Sequence, residues 1–533
     1  MGSVSTVSWH RRLAALPVAL LALAGCVRPP ADPLSEGARA IQRQNIMAYG
    51  RYLSADARAG RQHASPEADS VVSYLLDRLE EMGISGAVRA QALRGPQAVS
   101  FVHAFSVFLH RIGPATRLAV FDGQASHEVW PGPDFRPLLF STEADVLARS
   151  LHLETRAEDL AGPVAAAVRG RVVFVPPAAL ARHAGEPADA AYYRASQRLS
   201  QCGAAAAVFT DAPDWERLPV ASYPSELPPE MASGVRSPRG IRLNLTASRL
   251  GAALQAAAWR VAPERTIPAL VVRPGALPLP PEGAETRVQV QFRAEVSLGQ
   301  NLLVGFGGAG AGEECILLVA HYDHSGVNSA GEILNGGDDN ASGVAALLEV
   351  ARAFAQVHDT LNRSVLLAFV SAEMQGGQGL EALLQDLPLL LGHVQVRACF
   401  VLDAVGGNDP DYLAVQGADE YADLLRLLER HNRRATLLAP ALLLEPRPRS
   451  RLPERFAASW PHAATGELLQ RAGIPSLLFN DGVDPNLYGQ PEDDWEGVDA
   501  MKVTRVARLL FAAAWELASP RGSAVLAGAS QPH

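Results

Sequence analysis

The sequence predicts an α/β fold, in which a central sheet is flanked by helices, together with a second, smaller domain. Short apolar runs rich in branched residues alternate with Gly-rich loops and with apolar patterns of helical period, which is the order of buried strands, loops and packed helices. Several of these runs end in a histidine or a carboxylate, at the edge where such sheets bind ligands. A hydrophobic content of 48% and a charged content of 19% over 533 residues are typical of an ordered globular chain with two or three domains.

The chain begins with a segment that has the features of an export signal. A positive stretch, His10–Arg12, precedes an apolar run, Leu13–Leu23, that is too short to span a membrane comfortably. The run leads into Leu-Ala-Gly-Cys ending at Cys26, which resembles the bacterial lipobox. We therefore predict a lipoprotein signal peptide over residues 1–26, a lipidated Cys26 and a tether over residues 27–39. This places the protein in the bacterial cell envelope, anchored to a membrane by lipid and facing the periplasm or the exterior. A chance cysteine after an ordinary signal peptide is the alternative.

Charge and cysteine usage exclude some functions. The net charge is −9 and there is no run of Lys and Arg, so nothing electrostatic favours a nucleic-acid partner. Cys202, Cys315 and Cys399 remain beyond the predicted lipid anchor. Cys315 and Cys399 lie in apolar, strand-like runs and are predicted to be buried thiols, and no catalytic cysteine is proposed.

The stretch from Cys315 to Phe354 carries the candidate site. An apolar strand leads into His321 and Asp323, a polar loop follows, and a Gly-rich segment with Asp338 and Asp339 precedes a helix. An imidazole and carboxylates that converge from separate loops suit Zn²⁺. A ligating histidine usually donates its second ring N–H to a carboxylate, and Asp323 is placed to accept it.

Two later apolar runs also end in carboxylates. Ser364–Glu373 and Val396–Asp403 are each predicted to form a buried strand that ends in its carboxylate. Both carboxylates are therefore predicted at the same edge of the sheet as the histidine. A glutamate beside a metal can take a proton from water and pass it to a leaving amine.

Together, the His-Tyr-Asp-His sequence that begins at His321 and the later Gly-Gly-Asp-Asp-Asn-Ala-Ser-Gly resemble the co-catalytic zinc exopeptidases. This family includes bacterial leucyl aminopeptidase, aminopeptidase Y, glutamate carboxypeptidase II and the transferrin receptor, and the resemblance covers most of residues 40–517. It implies a mixed central sheet and Zn²⁺ as cofactor. His321 and Asp403 would be metal ligands, Asp339 would bridge two zinc ions, and Glu373 would be the general base.

The sequence departs from the family pattern at two positions. Met374 stands where active relatives have a second glutamate, and Gly489 stands where they have a histidine. In the family these two residues bind the same zinc ion, so one half of the site is intact and the other has lost its ligands. A thioether is a poor match for zinc among oxygen and nitrogen ligands, and glycine has no side chain. We therefore expect one zinc ion, and two only if a substitute ligand exists.

Some nearby groups are conceivable substitutes. The candidates are His462, Asp484, Glu492 and Asp493. The open alternatives for His462 are an ordinary loop histidine and a substrate contact.

The resemblance also implies the domain boundaries. Residues 40–124 would form the N-terminal part of the peptidase domain, residues 125–285 a protease-associated-like insertion, residues 286–520 the catalytic domain and residues 521–533 a flexible tail. Within the insertion we predict strands and a helix from the apolar patterns at Val168–Val175, Tyr193–Cys202, Gly203–Phe209 and Ile267–Val272.

The leading hypothesis is a zinc-dependent exopeptidase of the aminopeptidase type that hydrolyses peptides outside the cytoplasm. The alternative is a catalytically inactive lipoprotein that binds a partner through a peptidase fold, as in the transferrin receptor, and the two lost ligands motivate it. A purely structural lipoprotein explains neither Glu373 nor the intact half of the metal site.

Overall fold

The computed structural model describes residues 32–86, 97–121, 126–129, 131, 134–138, 141–181, 190–212, 267–328, 331–392, 394–433, 438, 440–447, 461–482 and 489–529. The predicted signal peptide with Cys26 lies outside these residues, as does Asp484, and His462 is described by its backbone alone. No helix in the described ranges is long and apolar enough to cross a membrane.

The helices of these ranges are α1 (Pro33–Ala40), α2 (Arg43–Leu53), α3 (Pro66–Glu81), α4 (Gly162–Ala167), α5 (Ala190–Gln201), α6 (Gly343–Val357), α7 (Gln378–Leu391), α8 (Ala422–Asn432), α9 (Pro461–Arg471), α10 (Ala500–Ala518) and α11 (Ser523–Ala529). The strands are β1 (Ser85–Gly86), β2 (Ala98–Ile112), β3 (Arg117–Phe121), β4 (Ser126–Val129), β5 (Phe135–Pro137), β6 (Ala144–His152), β7 (Val172–Val175), β8 (Ala206–Phe209), β9 (Ala269–Val272), β10 (Glu285–Val290), β11 (Phe292–Phe306), β12 (Ala311–His321), β13 (Gly326–Val327), β14 (Ile333–Leu334), β15 (Arg363–Val370), β16 (Gln395–Leu402), β17 (Tyr412–Gln416), β18 (Leu443–Arg447) and β19 (Ser476–Asn480).

The larger sheet has the strand order β1-β2-β11-β15-β12-β16-β19-β17-β18. Its centre is parallel, because β12 pairs in parallel with β15 and β16, and β16 pairs in parallel with β19. Antiparallel pairs flank this centre, between β11 and β15 and between β17 and β19. The predicted mixed α/β sheet is therefore confirmed.

Helices cover both faces of this sheet. Every residue of β15 is buried, as expected for a parallel strand with helices on both sides. On one face α6 packs against α10, where the rings of Phe354 and Phe511 meet edge to face with centroids 5.0 Å apart. On the other face Leu380 and Leu383 of α7 join the core. Each fully buried side chain of this size contributes about 1.5–3 kcal/mol.

A second sheet, with the order β4-β3-β10-β6-β7-β8-β9-β5, has apolar clusters of its own. It extends from Arg117 to Val290, slightly beyond the predicted insertion at 125–285. Its assignment as a protease-associated domain stays a prediction. The strand predicted from Val168 begins only at Val172, because the residues before it complete helix α4 and a turn.

Both ends of the described chain are more ordered than the sequence predicted. Residues 33–40, which overlap the tether expected over 27–39, form α1, and this helix places Leu34 in the core cluster beside α6 and α10. The expected tail 521–533 contains α11, where Leu526 is buried and Ser523 Oγ accepts a hydrogen bond from Arg363 at 2.9 Å. Both segments dock because distant parts of the fold offer them an apolar surface.

Candidate metal centre

The parallel strands β12, β15 and β16 bring their carboxyl ends to one edge of the sheet. His321, the last residue of β12, lies in register with Val370 at the end of β15, and Ala320 lies in register with Leu402 at the end of β16. The predicted strand ends are corrected, because β15 ends at Val370, three residues before Glu373, and β16 ends one residue before Asp403. The backbone therefore delivers the predicted side chains to neighbouring positions.

The predicted metal ligands lie together. His321 Nε2 is 3.1 Å from Asp339 Oδ1 and 3.5 Å from Asp403 Oδ1, and the three side chains offer ligand atoms within 4.8 Å of one another. All three are buried. One imidazole nitrogen and two carboxylate oxygens at these separations form a donor set that fits Zn²⁺, with a coordination position left for water or substrate.

The orientation of His321 is fixed by main chain. Its Nδ1 lies 3.0 Å from the carbonyl oxygen of Asp323 and 4.0 Å from the Asp323 carboxylate. The prediction that the carboxylate accepts the second ring N–H is therefore corrected, because the carbonyl of the same residue is closer. Asp323 Oδ1 instead accepts the backbone N–H of Glu373 at 3.3 Å. Asp323 thus connects the histidine to the predicted base.

The charges at this edge favour a cation. Burial alone would lower the pKa of His321, but its contacts with Asp339 and Asp403 raise that pKa well above the ordinary value. Burial, together with the nearby Glu373 charge, raises the pKa of Asp323 to about 7 despite the opposing effect of His321. Several carboxylates around one imidazole favour positive charge at this place. A bound divalent metal ion would supply that charge.

Asp339 is held by residues far away in the sequence. Asp493 accepts the backbone N–H groups of Asp338 and Asp339 at 2.7 and 3.1 Å. Asp493, named above as a conceivable ligand, therefore supports the Asp339 loop. Burial raises its pKa to about 7, with a further contribution from the charge of Asp338.

Arg61 stabilises the same loop through hydrogen bonds to its backbone. Its guanidinium is fully buried and donates to the carbonyl oxygens of Tyr322, Asn335 and Gly336 at 2.9, 2.6 and 3.0 Å. Burial lowers its pKa to about 10, partly offset by Asp339. No sequence pattern pointed to Arg61, which fixes both segments that carry ligands.

The predicted base, Glu373, is buried within this cluster. Thr465, on α9, donates a hydrogen bond to Glu373 Oε1 at 2.6 Å. The hydroxyl therefore fixes one carboxylate oxygen and sets the direction of the other. No sequence pattern pointed to Thr465, which comes from a helix 92 positions away.

The two departures from the family pattern are visible in the structure. Met374 is half-buried after β15. Gly489 has a φ of +66° and open space where a side chain would begin, so it supplies no ligand. Glu492 is exposed. His462 is the second residue of α9, and its role stays a prediction.

One histidine at the site was missed. His324, the last residue of the His-Tyr-Asp-His motif, is buried, and its Nδ1 lies 3.6 Å from Asp339 Oδ2. The signal was present in the sequence, one residue beyond Asp323. Spacing alone did not show that the loop turns this ring towards Asp339.

Comparison with known proteins agrees with this geometry. Residues 301–514 match the model of Peptidase family M28. The structure is similar to an aminopeptidase from Aneurinibacillus sp. strain AM-1, with 17% identity and a TM-score of 0.54 over 92% of this chain and 97% of that one. It is also similar to BSAP, a zinc aminopeptidase from Bacillus subtilis, with 15% identity and a TM-score of 0.54 over 92% of this chain and 98% of BSAP. No curated protein matches the chain.

The fold is therefore that of the zinc aminopeptidases, and the predicted resemblance to the zinc exopeptidases is confirmed. The residues that match the peptidase family, 301–514, include His321, Asp339, Glu373 and Asp403.

Proposed function

We propose that the protein is a zinc-dependent exopeptidase that removes residues from the N-terminus of peptides. The observation that carries the proposal is the buried set of His321, Asp339 and Asp403, with the buried Glu373 linked to it through Asp323. The similar proteins named above are aminopeptidases, which favours the amino-terminal direction. One tightly bound zinc ion is expected, because these three side chains form one complete set of protein ligands.

The residues divide the chemistry between them. A zinc ion held by His321, Asp339 and Asp403 would act as a Lewis acid towards the scissile carbonyl and water. Glu373 would accept the proton of the attacking water as the oxygen–carbon bond forms, and would return it to the amine nitrogen as the peptide carbon–nitrogen bond breaks. Thr465 would hold Oε1 of Glu373, so that the other oxygen carries the proton.

The second candidate is an inactive peptidase fold that binds a partner. Met374 and Gly489 motivate it, since they replace two ligands of the family. It predicts no turnover of any peptide, whether or not metal binds.

The test is Glu373→Gln, with release of N-terminal residues from a peptide mixture as the assay. We expect turnover to fall by about 10²–10⁴-fold with zinc content unchanged, because the change deletes the proton acceptor and no ligand. Glu496→Gln, at an exposed glutamate, is the control and keeps full turnover. Turnover that survives Glu373→Gln contradicts the mechanism, and a zinc-loaded wild type without turnover favours the binding protein.

We also propose that the enzyme acts at the bacterial cell envelope, attached by a lipid on Cys26. The support is the sequence of residues 1–26, and peptides outside the cytoplasm are the partners it implies. Cys26→Ser should move the protein from the membrane fraction to the soluble fraction. Unchanged membrane association would rule out the lipid anchor.

A further inference from the structure

The Asp339 carboxylate has a histidine beside each of its oxygens. His321 Nε2 lies 3.1 Å from Oδ1, and His324 Nδ1 lies 3.6 Å from Oδ2. Two donors bound to one tetrahedral zinc ion at ordinary bond lengths lie roughly 3.4 Å apart. Each histidine–oxygen pair therefore has the separation of two ligands that share a metal ion, and a carboxylate flanked in this way can bridge two ions.

His324 is already held in the required place. Its side chain is 1% exposed, and its backbone N–H donates to the carbonyl oxygen of Arg61 at 3.3 Å. Its ring packs closely on Gly336, where an added Cβ would lie 2.8 Å from the ring carbon Cγ. Gly336 also has a φ of +56°, which favours glycine. The ring is thus fixed against the Asp339 loop, and a fixed ligand loses little freedom when it binds a metal.

We propose that His324 and Asp339 form a second, weaker binding position for a divalent metal ion such as zinc. In this position His324 takes the place of the ligands that the family carries where this chain has Met374 and Gly489. This inference rests on the proposed function for the first zinc position. An imidazole and a carboxylate suit the same class of ion in both positions. The second position is expected to be weaker because two described side chains provide its ligands, whereas three provide the ligands of the first.

The test is a calorimetric titration of the metal-free full chain with Zn²⁺, together with metal analysis of the product. The wild type should bind two ions with different affinities. His324→Gln should weaken the second event by at least about tenfold and leave the first within about twofold. The matched control is His431→Gln, at a buried histidine 2.8 Å from Glu516, which should keep both events. A single event in the wild type, or an unchanged second event in His324→Gln, would overturn the proposal.

A second variant tests ligation directly. Nδ1 is the ring nitrogen nearer to Cβ, so the sulfur of His324→Cys can reach nearly the same position. With Co²⁺ in the second position this variant should show a thiolate-to-cobalt charge-transfer band that the wild type lacks. Absence of the band would contradict direct ligation. A wild type that binds one metal and still cleaves peptides would refute this inference alone, whereas two metals without cleavage would refute the proposed function alone.

Discussion

On one side of the Asp339 carboxylate, His321 and Asp403 extend from the ends of two paired, parallel strands. The positions where the zinc exopeptidases carry the remaining ligands hold Met374 and Gly489 in this chain, and both lie in segments outside the strands. Strand ends in a buried sheet have fixed separations, whereas loops accept substitution more readily. The intact half of the site is thus the half that the sheet positions, and the altered half is the one that depends on loops.

The predicted base and the groups that hold it lie outside the altered half. Glu373, Asp323 and Thr465 form a connected set through hydrogen bonds of 3.3 and 2.6 Å, and none of them belongs to the altered half. One ion with three protein ligands and an open position suffices for metal-assisted hydrolysis. The difference between the two sides predicts a difference in affinity between two metal positions.

The largest effect is expected at the residue that both sides share. Asp339→Asn replaces a charged oxygen donor by a neutral amide of the same shape, so affinity should fall by more than about a hundredfold at both positions. Turnover should be lost with it. Metal analysis checks this, with circular dichroism to confirm that the variant is folded. Retention of either metal would contradict the role of Asp339 as a ligand at both positions.

A smaller effect should follow from restoring a ligand on the altered side. Met374→Glu offers a carboxylate where the relatives have one, and should strengthen binding of the second metal by about tenfold. Met374→Gln, which has the same length without the charge, is the control and should change little. Equal second affinities in the wild type and Met374→Glu would show that this segment does not face the second position.

The smallest effect is expected from the residue that holds the base. Thr465→Val removes a hydrogen bond to a charged group, worth up to about 1.5–3 kcal/mol. Glu373 keeps both of its oxygens, so only part of this energy is lost from the transition state, and kcat should fall by less than about tenfold while KM and zinc content stay unchanged. Thr465→Ser keeps the hydroxyl and should retain most of the activity. A change in zinc content in Thr465→Val would assign the residue to metal binding instead.

The strand ends could be predicted well, because an apolar run that stops at a polar residue is a local pattern. His321, Asp339 and Asp403 could therefore be placed at one edge of the sheet from the sequence alone, and so could Glu373, which follows the neighbouring strand. The same runs predicted an α/β fold, and the family resemblance implied that its central sheet is mixed.

The residues that hold the ligand segments in place could not be predicted in this way. Arg61 reaches Tyr322 across 261 positions, and Asp493 reaches Asp339 across 154. Such contacts depend on the tertiary fold and leave no local pattern. The docking of α1 and α11 has the same origin, since each short segment is ordered by a surface built elsewhere. His324 shows a different limit, because its position in the motif was visible but its direction in the loop was not.

The most direct test is the zinc content of the purified chain after dialysis against metal-free buffer, measured for wild type, His321→Ala and Asp403→Ala. We expect about one zinc ion per wild-type chain and almost none in either variant, because dialysis removes the weaker ion and each substitution removes a ligand of the tighter one. A wild type without zinc, or variants that retain it fully, would contradict the assignment of His321, Asp339 and Asp403 as the metal centre.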